Sequence, residues 1–451
     1  MGIFKAYDIR GLVPSELNAD LAERIGNSYA RFIGAKRIVI GQDMRTHSPE
    51  ITDAVSRGAR AAGCDVIRLG LASTPMTYFG IGSIDCDGGL CVTASHNPGE
   101  YNGMKLCREG ARPISSANGI LDIEKMCAEP QPEPAEVPGK EESVDVLGDY
   151  VAHVLSFASL ERPIKIAIDA SNGMAGHTLP KILEGLPNVE VHTLFMEPDG
   201  TFPNHEANPL KEEVLGPVQD LVRQTGADLG VCFDGDADRC CFVDETGRTV
   251  TADLVTALLA PVFLAKAKAP ILYDLRSSWV VKEEIALAGG EPIRERVGHS
   301  FIKATMRERG ASFGGELSGH FYFADNFMTD SGVIAMVSVL SLLASGSDTR
   351  TFSERVANLR RYHSTGEINF RVADKDAAIA DLKQRYADGR QDELDGITVE
   401  FGNLGDAEWW WFNVRVSNTE PLLRLNLEAS SKELRDAKCA ELVSLLGTPE
   451  E

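Results

Sequence analysis

Leu229-Gly230-Val231-Cys232-Phe233-Asp234-Gly235-Asp236-Ala237-Asp238-Arg239 decides how this chain is read. Five apolar or small residues make a buried strand, and then three aspartates alternate with small residues. Carboxylates are costly inside a strand core, so they belong at its end. Three oxygen donors converging on one point suit a hard divalent cation, Mg²⁺ or Ca²⁺. A solvated acidic turn is the plain alternative, but stacked like charges call for a counter-ion. A calcium loop fits Asp234, Asp236, Asp238 and Glu245, yet Arg239 stands where its sharp turn needs glycine.

Outward from this stretch, the same grammar recurs. Arg37-Ile38-Val39-Ile40-Gly41-Gln42-Asp43, Lys165-Ile166-Ala167-Ile168-Asp169 and Ile271-Leu272-Tyr273-Asp274 are apolar runs closing on aspartate. Each is followed by a helical pattern, a second strand and a third. The third strands lead into Thr93-Ala94-Ser95-His96-Asn97-Pro98, the aspartate cluster, and Glu316-Leu317-Ser318-Gly319-His320. This is an internal repeat of about 110–130 residues. It predicts three α/β domains with largely parallel sheets, whose ligand loops lie beyond the strands' carboxyl ends around a central cleft. Residues 129–142, rich in proline and charge, read as a connector. The last ~90 residues read as a small α+β domain with an antiparallel sheet, and Trp409-Trp410-Trp411 as packing on its two faces. The expected domains are residues 1–135, 136–243, 244–350 and 351–451.

The totals narrow the function. A chain of 451 residues exceeds one core, and its net charge of −22 argues against nucleic acid or an anionic membrane as partner. Nine cysteines form no C-x-x-C pair, which predicts neither a disulfide scaffold nor structural zinc and fits a reducing cytoplasm. No apolar run reaches the ~18 residues of a membrane span.

Ser95, exposed at a strand end beside Lys105, reads as a nucleophile or phosphoryl carrier, or as a turn serine. A serine hydrolase would want G-x-S-x-G, which surrounds neither Ser95 nor Ser318. Arg415-Val416-Ser417-Asn418-Thr419-Glu420-Pro421 carries phosphate-binding groups in one strand-to-turn segment, or makes an ordinary polar turn. Glu316 and Ser318 suit the vicinal hydroxyls of a sugar, or Glu316 is a surface acid after a strand. His299 fits either a helix-start position or a protonatable site group.

Together with Phe4-Lys5-Ala6-Tyr7-Asp8-Ile9-Arg10-Gly11, these motifs resemble the α-D-phosphohexomutase superfamily, and within it the bacterial phosphomannomutase/phosphoglucomutase type, over nearly the whole chain. The resemblance implies an isomerase that interconverts mannose 6-phosphate and mannose 1-phosphate, supplying the latter for GDP-mannose. It implies a phosphoserine at Ser95, Mg²⁺ held by that phosphate with Asp234, Asp236 and Asp238, and hexose 1,6-bisphosphate as intermediate and activator. Arg415, Ser417, Asn418 and Thr419 would hold the non-reacting phosphate, and Glu316 and Ser318 the sugar. Tyr7, Arg10, Lys105, Arg239 and His299 would line the reacting end, with Lys105 or His299 transferring protons. Arg276 departs from a frequent lysine and is assigned binding only, since arginine is a poor base. Leu317 resembles the mannose and glucose enzymes; glucose, dual or glucosamine specificity and a phosphatase are the alternatives. The partners expected are small hexose phosphates, with the chain a monomer or homodimer.

Overall fold

The computed structural model describes residues 2–403, 405–417 and 422–450. Three of its four sheets share one plan. Strand Arg37–Gln42 lies between parallel neighbours Asp65–Leu71 and Gly88–Val92. Ile164–Asp169 lies likewise between Val189–Leu194 and Leu229–Phe233, and Ile271–Asp274 between Pro292–Glu295 and Phe313–Gly315. Each third strand then turns back into an antiparallel partner: Tyr101–Arg108, Cys240–Asp244 or Phe321–Phe323. The parallel core is the one expected, but the return strands make each of these three sheets mixed.

The closing aspartates stop the leading strands by one mechanism. Asp43, Asp169 and Asp274 each accept the backbone N–H two residues on, from Arg45 (3.1 Å), Ser171 (2.8 Å) and Arg276 (2.8 Å). Such Asx turns give the emerging backbone a partner other than the ladder.

The sheets run past the expected boundaries. Glu141–Ser143 pairs with Asp65–Leu71, so the first sheet extends beyond residue 135. Thr249–Val250 pairs with Cys240–Asp244, carrying the second sheet beyond residue 243. Phe352 and Val356 are buried in one apolar cluster with Val255, Leu259 and Val337, across the boundary at 350. Sheet pairing and packing continue through segments whose local composition reads as linker. The connector is itself pinned: Ala135 and Gly139 donate backbone N–H groups to the Ala61 and Arg60 carbonyls.

The fourth sheet is fully antiparallel, in the order His363–Phe370, Leu423–Ala429, Trp410–Val416, Ile397–Phe401, Arg390–Asp392. Helices Lys375–Arg385 and Lys432–Leu446 bury Leu382, Leu442 and Leu446 against it. The tryptophans do divide between faces. Trp410 stacks on Phe401 in this core, ring centroids 4.6 Å apart. Trp409 and Trp411 point the other way and bury Trp279 of the third domain, with Trp409 stacked on Trp279 at 4.3 Å. Glu428, 2% exposed, accepts the Trp279 backbone N–H (2.8 Å) and the Trp411 Nε1–H (3.0 Å). Among the described residues no helix is long and apolar enough to cross a membrane.

Candidate active site

Ser95 follows strand Gly88–Val92 with φ 50°, a left-handed backbone that few non-glycine residues adopt. Its side chain is buried, not exposed as the sequence implied, with 1% of the residue accessible. Oγ donates to Asp234 Oδ2 (2.8 Å), accepts from Arg239 Nη2 (2.9 Å) and lies 3.3 Å from His96 Nδ1. Gly235 permits this meeting: a Cβ there would stand 2.4 Å from the Ser95 carbonyl oxygen.

The aspartate loop is held from three sides. The Thr74 N–H donates to the Asp236 carbonyl, Met174 N–H to that of Gly235 and Gly332 N–H to that of Ala237. Oxygens of Asp234, Asp236 and Asp238 lie within 4.8 Å of one another, all buried. Lys105 Nζ donates to Asp236 Oδ2 (2.8 Å) and to Asp238, Thr74 Oγ1 donates to Asp236 Oδ2 (2.6 Å), and Arg239 pairs with Asp234 (2.9 Å). His320 Nε2 adds a third positive group 3.6 Å from Asp238 Oδ1. Among the described residues Asp236 Oδ1 and Asp238 Oδ1 are buried without a hydrogen-bond partner, although Asp238 Oδ1 has Arg239 Nε at 3.8 Å as well. Buried oxygens without a hydrogen bond are costly, and an all-oxygen donor set fits a hard divalent cation. Burial pushes the Asp234 carboxyl up to about 7, whereas Lys105 with Thr74 at Asp236, and Lys105 with His320 and Arg239 at Asp238, together outweigh burial and hold both below the usual range.

Lys105 does not have the character of a proton-transfer base here. Burial favours its neutral form, but Asp236 and Asp238 prevail and hold the ammonium charged. His299 is the opposite case: burial and the nearby Lys303 and Lys105 cations keep its imidazole neutral, and Nδ1 has no hydrogen-bond partner. Its ring meets Tyr7 edge-on at 5.6 Å, and Tyr7 donates to the Val297 carbonyl (3.0 Å). Arg10, fixed by Asp8 (2.7 Å), donates to the Ala94 carbonyl (3.2 Å) and Asn97 Oδ1 (2.6 Å), bracing the Ser95 loop.

On the third domain, both Glu316 oxygens are engaged within the protein, by Gly298 N–H (2.9 Å) and by Tyr322 OH (2.5 Å) with His320 (3.3 Å). Ser318 Oγ lies 2.9 Å from His320 Nδ1. Asp238 and Glu316 outweigh burial at His320 and raise it to about 9, so this imidazole is a cation. Arg276 forks onto Asp274 (Nη2–Oδ2 2.7 Å), and the other lone pairs of that carboxylate accept the Leu317 N–H (2.7 Å). From the fourth domain, Arg415 pairs with Glu367 (2.8 Å), which also holds Arg424 (2.9 Å). Burial and the Arg276 charge hold the Arg415 guanidinium below its ordinary value. Ser417 is buried, its N–H bonded to the Leu422 carbonyl (2.9 Å), while Asn418 and Thr419 lie outside the described residues.

Sequence reading passed over Arg45, Thr74 and His320. Arg45 carried a signal, standing two residues after a strand-end aspartate as Arg276 does. Thr74 carried none, because only the fold brings it to Asp236.

Comparison with known proteins covers the whole arrangement. Models described as phosphoglucomutase/phosphomannomutase alpha/beta/alpha domains I, II and III match residues 1–132, 148–247 and 251–362. The C-terminal domain of the same family matches residues 367–444. A Xanthomonas campestris protein named "Phosphohexose mutases" is 41% identical over 450 residues, 98% of each chain. The Escherichia coli K12 "Phosphomannomutase" is 38% identical over 457 residues, again 98% of each. A Burkholderia thailandensis phosphoglucomutase/phosphomannomutase family crystal structure superposes with TM-score 0.89 at 32% identity, covering 99% of this chain and 98% of that one. With four domains matched in order along nearly its full length, the chain belongs to the phosphoglucomutase/phosphomannomutase family and is a mutase, an isomerase of hexose phosphates.

Proposed function

We propose that this mutase interconverts mannose 6-phosphate and mannose 1-phosphate, with Ser95 as phosphoryl carrier. The observation that carries this reading is the Ser95 Oγ–Asp234 hydrogen bond inside a buried cluster that retains, among the described residues, carboxylate oxygens without a hydrogen bond. Asp234, Asp236, Asp238 and a phosphate on Ser95 would hold Mg²⁺, which when bound neutralises charge on the transferring group. Arg239 and His96 then stand at the Ser95 oxygen as positive and polar partners for its phosphate. The substrate's other phosphate is gripped by Arg415, Ser417, Asn418 and Thr419, with Arg276 near enough to bear on the Arg415 charge. His299, neutral and with a free Nδ1, is suited to take a proton from the attacking hydroxyl, and the His320 cation to give one back. The sugar turns over as hexose 1,6-bisphosphate, and its second phosphate returns to Ser95. The product would serve GDP-mannose formation in the cytoplasm, and the chain would act as a monomer or homodimer.

A coupled assay with Mg²⁺ and trace bisphosphate tests this against mannose, glucose and glucosamine 1-phosphates. Turnover of the mannose compound is expected; none with any of the three would refute the reading. Dual mannose and glucose activity is the second reading, favoured by the broader name "Phosphohexose mutases" of the 41% identical relative.

A further inference from the structure

The first and third repeats close their leading strands with the same pair of residues. Asp43 accepts the Arg45 backbone N–H (3.1 Å) and Nε–H (3.2 Å), and Asp274 accepts those of Arg276 (2.8 and 3.2 Å). In the second repeat Ser171 takes the arginine's place, and Asp169 meets His205 instead (3.0 Å). The two arginines then diverge. Arg276 lays Nη2 back on Asp274. Arg45 is 1% exposed and turns inward. Its Nη1 donates to the carbonyls of Pro98 (2.6 Å) and Tyr101 (3.0 Å), and Nη2 to those of Ser95 (2.8 Å) and Asn97 (2.6 Å). With Nε on Asp43, every guanidinium N–H is used. The Phe202 ring from the second domain covers the group at 5.1 Å.

Taking a guanidinium out of water is costly, and among the described residues Asp43 is the one carboxylate paired with it. The return lies in the loop. Residues 95–101 turn sharply about a left-handed Ser95, which leaves carbonyls without ladder partners, and a planar fork reaches several at fixed angles where lysine offers a point charge.

We propose that Arg45 is the positioning residue of the Ser95 loop. Its hydrogen bonds hold the backbone conformation that aims Oγ at Asp234, and it touches Ser95 through the carbonyl oxygen alone. The proposal rests on Ser95 being the phosphoryl carrier. A displacement near 1 Å at a reacting group costs about 100-fold in rate. Substrate grip belongs to other loops, so the loss should fall on kcat and spare KM.

The test uses the full chain as Arg45→Lys and Asp43→Asn, each checked by circular dichroism and thermal melting. Arg45→Lys is expected to lower kcat about 100-fold with KM for mannose 1-phosphate within about threefold. Asp43→Asn, which weakens the anchor but keeps the fork, should lower kcat about 10-fold with the same KM. Peptide mapping of the wild type separates the two ways of failing. A Ser95 that never carries phosphate removes the carrier reading. A phosphorylated wild type beside an Arg45→Lys enzyme of wild-type kcat per phosphorylated molecule overturns the positioning role. If Arg45→Lys does not fold, an unchanged kcat in Asp43→Asn overturns it equally.

Discussion

Ser95 Oγ donates to Asp234 Oδ2 at 2.8 Å, although 139 positions of chain separate the two residues. Each sits at the carboxyl end of the third strand of its own repeat. The hydroxyl therefore stands beside the candidate cation site, and its removal should stop group transfer without disturbing the sheets.

Ser95→Ala is expected to lose more than about 1,000-fold in turnover, as removal of a covalent carrier does. Its melting temperature should stay within a few degrees, because Asp234 keeps Arg239 as partner. Steady-state kinetics beside a thermal melt checks both. Substantial mutase activity in a folded Ser95→Ala protein would remove the carrier assignment.

Chelation should abolish activity, and Mg²⁺ should restore it. Added Mg²⁺ should also raise the melting temperature, since it relieves buried like charges in the folded state alone. Asp238→Asn should weaken that metal-dependent rise as well as lower turnover at least about 100-fold. Melting curves with and without Mg²⁺ decide; an enzyme indifferent to both chelator and metal rules the site out.

Arg415→Lys loses the planar fork while keeping the charge. KM for hexose phosphate is expected to rise about 10- to 100-fold, corresponding to about 1.4–3 kcal/mol of charge-assisted hydrogen bonding. Glu367 would keep a cationic partner in Arg424, so the fourth sheet should remain folded. An unchanged KM would remove Arg415 from the substrate site.

Glu428 sets a pH dependence at the joint between the third and fourth domains. Burial raises its carboxyl from 4.5 to about 7, against the opposing effect of the Trp279 and Trp411 donors. A folded value above the unfolded one means that its stabilising contribution is complete below about pH 4.5. It is lost as pH rises through about 7, by about 3 kcal/mol in all. Tryptophan fluorescence should report loosening of the Trp279–Trp409 stack between pH 6 and 8, and Glu428→Gln should flatten the transition. An identical pH profile in the variant would place the effect elsewhere.

Much of this molecule was legible because its signals are local. Apolar runs closing on Asp43, Asp169 and Asp274 marked the leading strands, and the loops after the third strands announced themselves by residue type. Boundaries were less legible, since Glu141–Ser143 joins the first sheet by backbone hydrogen bonds that its charged side chains do not advertise. Lys105 illustrates a different limit. Its place in the chain identified a cation near the serine, but its protonation depends on Asp236 and Asp238, more than 130 positions away.

The sequence by itself determined the repeat, the strand-end motifs and the kinds of side chain that each loop supplies, because periodicity and turn chemistry act between near neighbours. Only the tertiary structure decided which of those groups meet, and what charge each carries when they do. Asp234 and Asp236, two residues apart with the same side chain, are driven in opposite directions by burial, Lys105 and Arg239. Arg45 and Arg276 occupy equivalent positions in their repeats, yet one is spent on the serine loop and the other folds back onto its own Asp274. Desolvation and charge pairing depend on distance in space, and it is the packing of the domains that sets those distances.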